Sequence, residues 1–233
     1  MNWDFLDKDC EIWCINVRNN YISYVSIIKQ LKKINILNKV KFLHPDKFNN
    51  NLLSKGNWGS HKYCLQMALN SNKNALIIES DIIFDDRIKS YYDILKKYYM
   101  ERNWDIIRLG SVVFNYNTKI NNNLWKGEFL ILQSYFINKE FIHRCIDDIA
   151  FNSETSVLKN INEYYITNSN KDLCFIPNLV YLNKYMINQK ILNLISWHLR
   201  YLPNVMKYIN PYVLLFKLNN FASNILIKYK FKI

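Results

Sequence analysis

Residues that interrupt regular secondary structure are scarce in this sequence, which has 4 glycines and 4 prolines among 233 residues. Hydrophobic residues make up 50% of the chain and aromatic residues 15%, so the composition excludes a disordered or low-complexity protein. A chain of this length can bury a large core. We therefore expect a single α/β domain, or such a domain with a small appendage.

Long hydrophobic runs are also absent. No segment stays apolar over the roughly 18 residues that a membrane-spanning helix needs. The opening sequence MNWDFLDKD is acidic and lacks the apolar stretch of a secretory signal. These absences predict a cytoplasmic protein that is soluble or peripheral at a membrane.

Cysteines are few, and their number argues against a disulfide framework. The five cysteines are odd in number and scattered along the chain, which predicts reduced thiols. Cys10 and Cys14 lie close in sequence, but no second pair and no histidine at a suitable spacing completes a zinc site. In apolar contexts a cysteine behaves as a small buried hydrophobe, so we expect these thiols to be structural.

Acidic residues are outnumbered by basic ones, with 31 Lys and Arg against 19 Asp and Glu and a net charge of +12. This surplus attracts phosphates on a nucleic acid, a nucleotide-sugar, an anionic glycan or a membrane, and it does not choose among them. The lysines are spread along the whole chain, and no helix-turn-helix, zinc or RNP-type motif is present. We therefore do not expect a nucleic-acid partner.

The first third of the chain alternates between strand and helix patterns. Residues 11–17, 40–43 and 75–78 are apolar runs typical of strands. Residues 21–34 repeat apolar positions at helical spacing, and residues 61–69 predict a second helix. A βαβαβ order predicts a mostly parallel sheet flanked by helices, and such sheets bind ligands at the carboxyl ends of their strands.

Two acids end the third of these strands, in the order Glu79, Ser80, Asp81. A buried carboxylate needs a partner, so these acids should lie at the exposed carboxyl edge or be matched by a cation. Strand alternation would turn Glu79 and Asp81 to the same face. Two hard oxygen ligands suit Mg²⁺ or Mn²⁺, with substrate phosphates completing the shell. The alternative is that the strand simply ends and acidic residues begin its loop.

Other polar residues fall near the same predicted edge. Asn16 and Arg18 lie at the end of the first strand, where such sheets bind ligands. Arg18 would equally serve as a plain turn residue. Ser60 and His61 come just before the second helix, where they would cap it and hold donor phosphates at its N-terminus. Ser60 would equally serve as a plain cap without a ligand. Gly110 follows the fourth predicted strand, 106–107, and places a small residue near the crevice.

Five segments carry a resemblance to a known family. They are CINVR at 14–18, GNWGSH at 56–61, ALIIESDI at 75–82, WDIIRLG at 104–110 and, more weakly, QSYFINK at 133–139. In this order they resemble the lipopolysaccharide-type glycosyltransferases of family 25, which include bacterial β-galactosyltransferases and relatives of the collagen galactosyltransferases. The resemblance covers roughly residues 11–183.

The resemblance implies a single GT-A-type, Rossmann-like catalytic domain at 1–185. Such a domain would transfer a galactose- or glucose-type hexose from a nucleotide-sugar, expected in the UDP form, with inversion and with Mn²⁺ or Mg²⁺ as cofactor. The acceptor would be a glycan, a lipooligosaccharide or a glycoprotein. The predicted donor-binding residues are Asn16, Arg18, Ser60, His61, Glu79, Ser80 and Gly110. The predicted metal ligands are Glu79, Asp81 and His198.

The sequence departs from the family at two places. Ser80 stands where the family has the middle acid of Glu-Asp-Asp, and the later acidic position of the family has no clean equivalent. An inverting transferase needs a carboxylate base near the acceptor hydroxyl. The candidates are Glu154 and the pair Asp147 and Asp148, each of which would otherwise be a solvated helix residue.

Residues 186–233 differ in character from the rest of the chain. They are rich in Leu, Ile, Phe and Tyr punctuated by Lys and Arg, which predicts an amphipathic, basic helical extension at an anionic membrane surface. The same pattern would serve packing on the domain or a homodimer interface. A lone His198 beside a tryptophan is commonly a packed residue rather than a ligand. The rival functions are a catalytically silent interaction protein of the same fold and a basic nucleic-acid-binding protein.

Overall fold

The computed structural model describes residues 1–16, 21–44, 57–148, 161–176 and 178–182. Within these residues the helices are α1 (Tyr21–Lys33), α2 (Asn57–Asn70), α3 (Tyr92–Glu101), α4 (Lys139–Asp147) and α5 (Ile161–Asn168). The strands are β1 (Cys10–Ile15), β2 (Lys41–Leu43), β3 (Asn74–Glu79), β4 (Ile82–Phe84), β5 (Ile106–Lys119), β6 (Leu124–Ile137), β7 (Asp172–Phe175) and β8 (Val180–Leu182).

Six of these strands form the central sheet, in the order β2-β1-β3-β6-β5-β7. Neighbouring strands are parallel except where β6 pairs with β3, β5 and β7, so β6 alone runs against the others. Strand β4 pairs with β8 in a separate two-stranded sheet. The predicted α/β fold with a mostly parallel, helix-flanked sheet is confirmed.

Helices cover both faces of the sheet, and each face has its own core. One core contains side chains of α1 and α3, and the other contains side chains of α2, α4 and α5. Alternate residues of β3 enter the two cores, with Leu76 and Ile78 in the first and Ala75 and Ile77 in the second. By the same alternation, Glu79 at the end of β3 belongs to the face that α2 covers.

Asparagines end the first two helices and turn the chain toward the sheet. Asn35 and Asn72 adopt the left-handed conformation, with φ of 59° and 53°. After α1, the Asn35 amide donates to the Lys32 carbonyl and the Ile36 amide donates to the Leu31 carbonyl, which is a Schellman motif. The same pair of bonds follows α2. Asparagine tolerates this conformation better than most residues, so these positions have a local structural use.

The predicted elements lie close to the observed ones, with one correction. Strands β1, β2 and β3 and helix α1 fall within two residues of their predicted bounds. Helix α2 begins at Asn57, four residues before the predicted start at His61. An interior glycine such as Gly59 disfavours a helix by only about 1 kcal/mol, which packing offsets. Ser60 therefore lies in the first turn of α2, and the prediction that it caps the helix is wrong.

The long hairpin of β5 and β6 extends well beyond the predicted fourth strand, 106–107. Strand β5 continues to Lys119, and β6 returns beside it with several register shifts. The turn is closed by Asn121, whose side-chain oxygen accepts hydrogen bonds from the amides of Asn123 and Leu124, both at 2.8 Å. The hairpin places the antiparallel strand β6 between β3 and β5.

Several predicted features lie outside the described residues. They are Arg18, Glu154, His198 and the C-terminal extension 186–233. Within the described part of the chain, no helix is both long and apolar enough to cross a membrane.

Candidate functional site

The carboxyl ends of β1, β2 and β3 meet at one edge of the sheet. Ile15 lies opposite both Leu43 and Glu79 in the two parallel ladders. Beyond the last ladder positions, the Asn16 amide donates to the Leu43 carbonyl at 2.9 Å. The Ser80 amide donates to the Ile15 carbonyl at 3.0 Å. These bonds hold the residues after β1 and β3 side by side, as expected for the ligand-binding edge of a parallel sheet.

Asn16 and Ser80 are linked through their side chains. The Ser80 hydroxyl donates to Asn16 Oδ1 at 3.1 Å, and both residues are buried. This bond satisfies two polar groups that would otherwise be buried without partners. It gives both residues a structural role at the edge, and their contact with a donor stays a prediction.

Glu79, the last residue of β3, is held by a histidine from α2. His61 Nε2 lies 3.3 Å from Glu79 Oε1, and the imidazole is fully buried whereas the Glu79 side chain is 15% exposed. The other imidazole nitrogen, Nδ1, lies 2.7 Å from the Tyr135 hydroxyl. The structure thus brings together two predicted donor-site residues, with His61 behind Glu79 rather than at the surface.

Asp81 belongs to the turn between β3 and β4, not to β3 itself. Strand alternation therefore does not set the direction of its side chain, because the pleat ends at Glu79, and a shared face with Glu79 stays a prediction. The Oδ1 atom of Asp81 is buried. Burial raises the pKa of the nearby Cys14 thiol, and the negative charges of Asp81 and Glu79 raise it further. Both acids therefore lie near the end of β1, where negative charge accumulates.

The carboxylates at this edge are compatible with a divalent cation, although the described residues supply too few ligands to complete its coordination shell. Glu79 and Asp81 offer carboxylate oxygens, the ligands that Mg²⁺ and Mn²⁺ prefer. Among the residues that the structure describes, no group of three or more His, Cys, Asp or Glu side chains could hold a metal ion. Further ligands would have to come from donor phosphates, from water or from residues outside the described ranges, where the predicted ligand His198 lies.

Ser60 is buried in the first turn of α2, directly before His61. Its side chain is fully buried, and within the described part of the chain its Oγ atom has no hydrogen-bond partner. A buried hydroxyl without a partner carries a desolvation penalty of roughly 1–3 kcal/mol. Such a group is compatible with the predicted phosphate contact, which stays a prediction.

Gly110 is explained by the close approach of β8. A Cβ atom at this position would lie 2.3 Å from the Val180 carbonyl oxygen and 2.9 Å from Gln133 Oε1. Nearby, the Leu179 amide donates to the Leu109 carbonyl at 2.7 Å. Only glycine lets the two backbones meet at this distance. This packing accounts for the small residue, and a donor contact stays a prediction.

Asp148, a predicted base, follows the C-terminus of α4. Its Oδ2 atom accepts a hydrogen bond from the Tyr164 hydroxyl at 2.6 Å. Burial raises the pKa of Tyr164, and its bond to Asp148 raises it further. Tyr164 lies on α5 next to Tyr165, whose hydroxyl is 3.4 Å from that of Tyr135. Helix α5 therefore contacts both the Asp148 carboxylate and the buried cluster behind Glu79.

The sequence did not single out the tyrosines that support His61. Tyr135 lies on β6 opposite Ile77 of β3, and Tyr165 lies on α5. Their proximity depends on the antiparallel insertion of β6 and on the packing of α5. The one available signal was that Tyr135 falls in the weakest of the five family-like segments.

A cavity of about 600 Å³ lies at the opposite, amino edge of the sheet. It includes Asp105, which directly precedes β5. Two of its arginines are already paired with carboxylates, Arg144 with Asp105 at 2.6 Å and Arg102 with Asp9 at 2.9 Å. Strand β3 spans about 17 Å between the two edges. The cavity is therefore distinct from the Glu79 site, and the pairing of its arginines reduces their attraction for an anion.

Comparisons with known proteins give distant structural likenesses. No protein-family model matches the chain, and a search of curated proteins finds no match. A protein assigned as a glucose-1-phosphate thymidylyltransferase from Bacillus anthracis is 12% identical, with a TM-score of 0.41 over 83% of this chain and 78% of that one. A glycosyltransferase involved in glycosylation of the major capsid of PBCV-1 is 9% identical, with a TM-score of 0.37 over 70% and 80%. A 4-diphosphocytidyl-2C-methyl-D-erythritol synthase from Anaerococcus prevotii is 10% identical, with a TM-score of 0.42 over 85% and 100%.

Proposed function

We propose that this protein is a glycosyltransferase that moves a hexose from a nucleotide-sugar of the UDP type to a glycan, lipooligosaccharide or glycoprotein acceptor. The observation that carries the proposal is the position of Glu79 and Asp81 at the carboxyl edge of the parallel strands. This is where open α/β sheets bind ligands. The same residues lie in the segment 75–82, one of the five that resemble family 25.

The chemistry of the reaction explains why two acids would be needed there. Breaking the glycosidic bond leaves a nucleoside diphosphate on which negative charge develops. A bound Mn²⁺ or Mg²⁺ would stabilise this charge. Glu79 and Asp81 would hold such an ion, because their carboxylates concentrate negative charge beside the end of β1. His61 would keep the Glu79 carboxylate in place through the bond to its Oε1.

The acceptor side of the reaction requires a carboxylate base. A sugar hydroxyl is a weak nucleophile at neutral pH, so direct displacement with inversion needs a group that removes its proton. We propose Glu154 or Asp148 for this role. Asp148 accepts a hydrogen bond from Tyr164, which fixes the orientation of its carboxylate. The basic extension 186–233 would then bring the enzyme to lipid-linked acceptors at an anionic membrane.

The test is calorimetric titration of UDP in the presence of Mn²⁺, with the parent protein and Asp81→Asn. The substitution keeps the shape of the side chain and removes its charge. We expect it to weaken Mn²⁺-dependent UDP binding by more than about tenfold, since even outer-shell partners of a metal change its affinity by about 10- to 100-fold. Binding by the parent should depend on the metal ion.

Asp93→Asn is the matched control. Asp93 is exposed in the first turn of α3, and its substitution makes the same change in charge. It should leave UDP binding unchanged. Equal binding by Asp81→Asn and the parent would overturn the metal assignment. If the parent binds no UDP with either Mn²⁺ or Mg²⁺, the transferase proposal is wrong and a catalytically silent interaction protein takes its place.

A further inference from the structure

Two tyrosines and a histidine form a buried cluster behind Glu79. His61 and Tyr165 are fully buried, and Tyr135 is 1% exposed. The rings of His61 and Tyr135 are stacked, with centroids 5.8 Å apart and planes 13° apart. The ring of Tyr165 packs edge-on against that of Tyr135, with centroids 5.7 Å apart. These contacts leave the imidazole little freedom to rotate, because protein cores are closely packed.

The sheet register explains why these groups meet. Tyr135 lies directly opposite Ile77 in the antiparallel ladder of β3 and β6. Ile77 and Glu79 are two residues apart on β3, so Tyr135 and Glu79 lie on the same face as diagonal neighbours. Helix α2 covers this face and supplies His61, which bridges the two side chains.

The hydrogen bonds have a definite direction when the imidazole is neutral. The Glu79 carboxylate can only accept, so the Nε2 atom of His61 must carry the proton that it donates to Glu79. The Nδ1 atom is then an acceptor, and the Tyr135 hydroxyl donates to it at 2.7 Å. The Tyr135 oxygen in turn accepts from the Tyr165 hydroxyl at 3.4 Å. Each hydrogen bond in this series, from Tyr165 through Tyr135 and His61 to Glu79, therefore has one donor and one acceptor.

Both tyrosines keep their protons over the physiological range. Burial raises the pKa of Tyr135 and the pKa of Tyr165 well above their ordinary values. Each hydroxyl is therefore available as a donor. Removing the Tyr135 hydroxyl would leave the buried Nδ1 atom of His61 without the hydrogen bond that Tyr135 donates to it, which disfavours the observed arrangement.

We propose that Tyr135 is a positioning residue of the donor site. Its hydroxyl, supported by that of Tyr165, holds His61 in the Nε2-protonated form, and His61 then fixes the Glu79 carboxylate at the edge of the sheet. The hydrogen bonds stand independently of any ligand, and the role given to Glu79 rests on the proposed function. The arrangement resembles the partners that orient ligands around metal sites in general.

The first measurement is the protonation pattern of the His61 ring. The chain has 4 histidines, so nitrogen NMR of histidine-labelled protein resolves few signals, and His61→Asn identifies the one from His61. The parent should show a protonated Nε2 and a bare Nδ1. Tyr135→Phe keeps the stacked ring and removes the hydroxyl, so the His61 signals should shift toward a mixture of tautomers.

The second measurement is Mn²⁺-dependent UDP affinity. Tyr135→Phe should weaken it by about 10-fold, the low end of the effect expected for an outer-shell partner. Tyr99→Phe is the matched control, because Tyr99 is also 1% exposed and its hydroxyl bonds to Asn74 and Asp9 at the amino edge. It should leave both the His61 signals and the UDP affinity unchanged.

The outcomes separate this inference from the proposed function. Unchanged His61 signals in Tyr135→Phe would overturn the inference, as would a shift of the tautomer without loss of UDP affinity. Should Tyr135→Phe fail to fold, Tyr165→Phe must produce smaller changes of the same kind, and no change would overturn the inference. A parent that binds no UDP refutes the transferase, while the His61 signals still decide whether Tyr135 orients the imidazole.

Discussion

Replacing one partner of the buried ion pair between Arg108 and Asp172 should destabilise the protein far more than replacing both. The guanidinium of Arg108 donates to both carboxylate oxygens of Asp172, with distances of 2.6–3.0 Å. The Arg108 side chain is fully buried and that of Asp172 is 4% exposed. The pair joins the parallel strands β5 and β7 in the interior of the protein.

The attraction between the two charges does not fully offset the free-energy cost of removing the Asp172 carboxylate from water. Burial raises the pKa of Asp172 to about 6, although the charge and hydrogen bonds of Arg108 act to lower it. Removing one partner leaves a buried charge and should lower the free energy of unfolding by about 3–5 kcal/mol. Replacing both with apolar residues of similar volume is often neutral or stabilising. We therefore expect Arg108→Met and Asp172→Val to be damaging singly and nearly neutral together.

The raised pKa also predicts a pH dependence with a definite sign. The folded protein binds a proton at Asp172 more tightly than the unfolded chain, for which the ordinary pKa is 3.8. The resulting stabilisation is fully present below about pH 4 and is lost as pH rises through about 6. Its size is about 3 kcal/mol. The double variant lacks the carboxylate, so it should lack this component.

Urea unfolding followed by tryptophan fluorescence at pH 4 to 8 measures these quantities in the parent, the two single variants and the double variant. The difference in unfolding free energy between parent and double variant should change between about pH 4 and about pH 6 and level off at higher pH. The reasoning is refuted if the double variant loses as much stability as the two single variants combined. It is also refuted if parent and double variant share the same pH dependence.

Two further predictions concern the elements near the candidate site. Gly110→Ala should lower the free energy of unfolding by roughly 1–3 kcal/mol, because its Cβ atom would lie 2.3 Å from the Val180 carbonyl oxygen and one of the two backbones must shift. Thermal unfolding measures this loss, and an unchanged melting temperature would contradict the prediction. Asp85→Asn should cost about 1 kcal/mol or less at neutral pH in denaturant titrations, since the pair with Arg87 is partly screened by solvent. Hydrogen bonds from Arg87 hold the pKa of Asp85 below its ordinary value of 3.8, so the difference should vanish as pH falls through this lowered pKa.

Local patterns in the sequence were sufficient to place the elements near the amino end. The apolar positions Ile27 and Leu31 of α1 and Ile34 just after it are buried, and Lys29 and Lys32 are exposed, as the helical periodicity predicted. These features depend on residues within one or two turns of each other. The β-α alternation then fixed the parallel arrangement of the first three strands, because such connections follow simple rules.

The support behind the candidate site could not be predicted in the same way. The meeting of Tyr135 with His61 depends on strand β6, which begins about 45 residues after the end of β3 and runs in the opposite direction. A short segment does not reveal which strand it will pair with or in which register. The position of Ser60 inside α2, rather than before it, could not be predicted for a related reason. The packing of α2 overrides the helix-breaking tendency of Gly59.

The serine between the two acids occupies a structural position at the carboxyl edge of the sheet. Ser80 is 7% exposed, and it bonds through its amide to Ile15 and through its hydroxyl to Asn16. Its side chain is therefore directed to the end of β1, whereas Glu79 is directed to His61 under α2. A carboxylate at position 80 would have to be buried beside Asn16, which is unfavourable without a cation or further donors. At this position a neutral hydrogen bond joins the ends of β3 and β1, and the carboxylates of Glu79 and Asp81 stand on either side of it. A serine between the two acids therefore gives by itself no reason to prefer a catalytically silent protein.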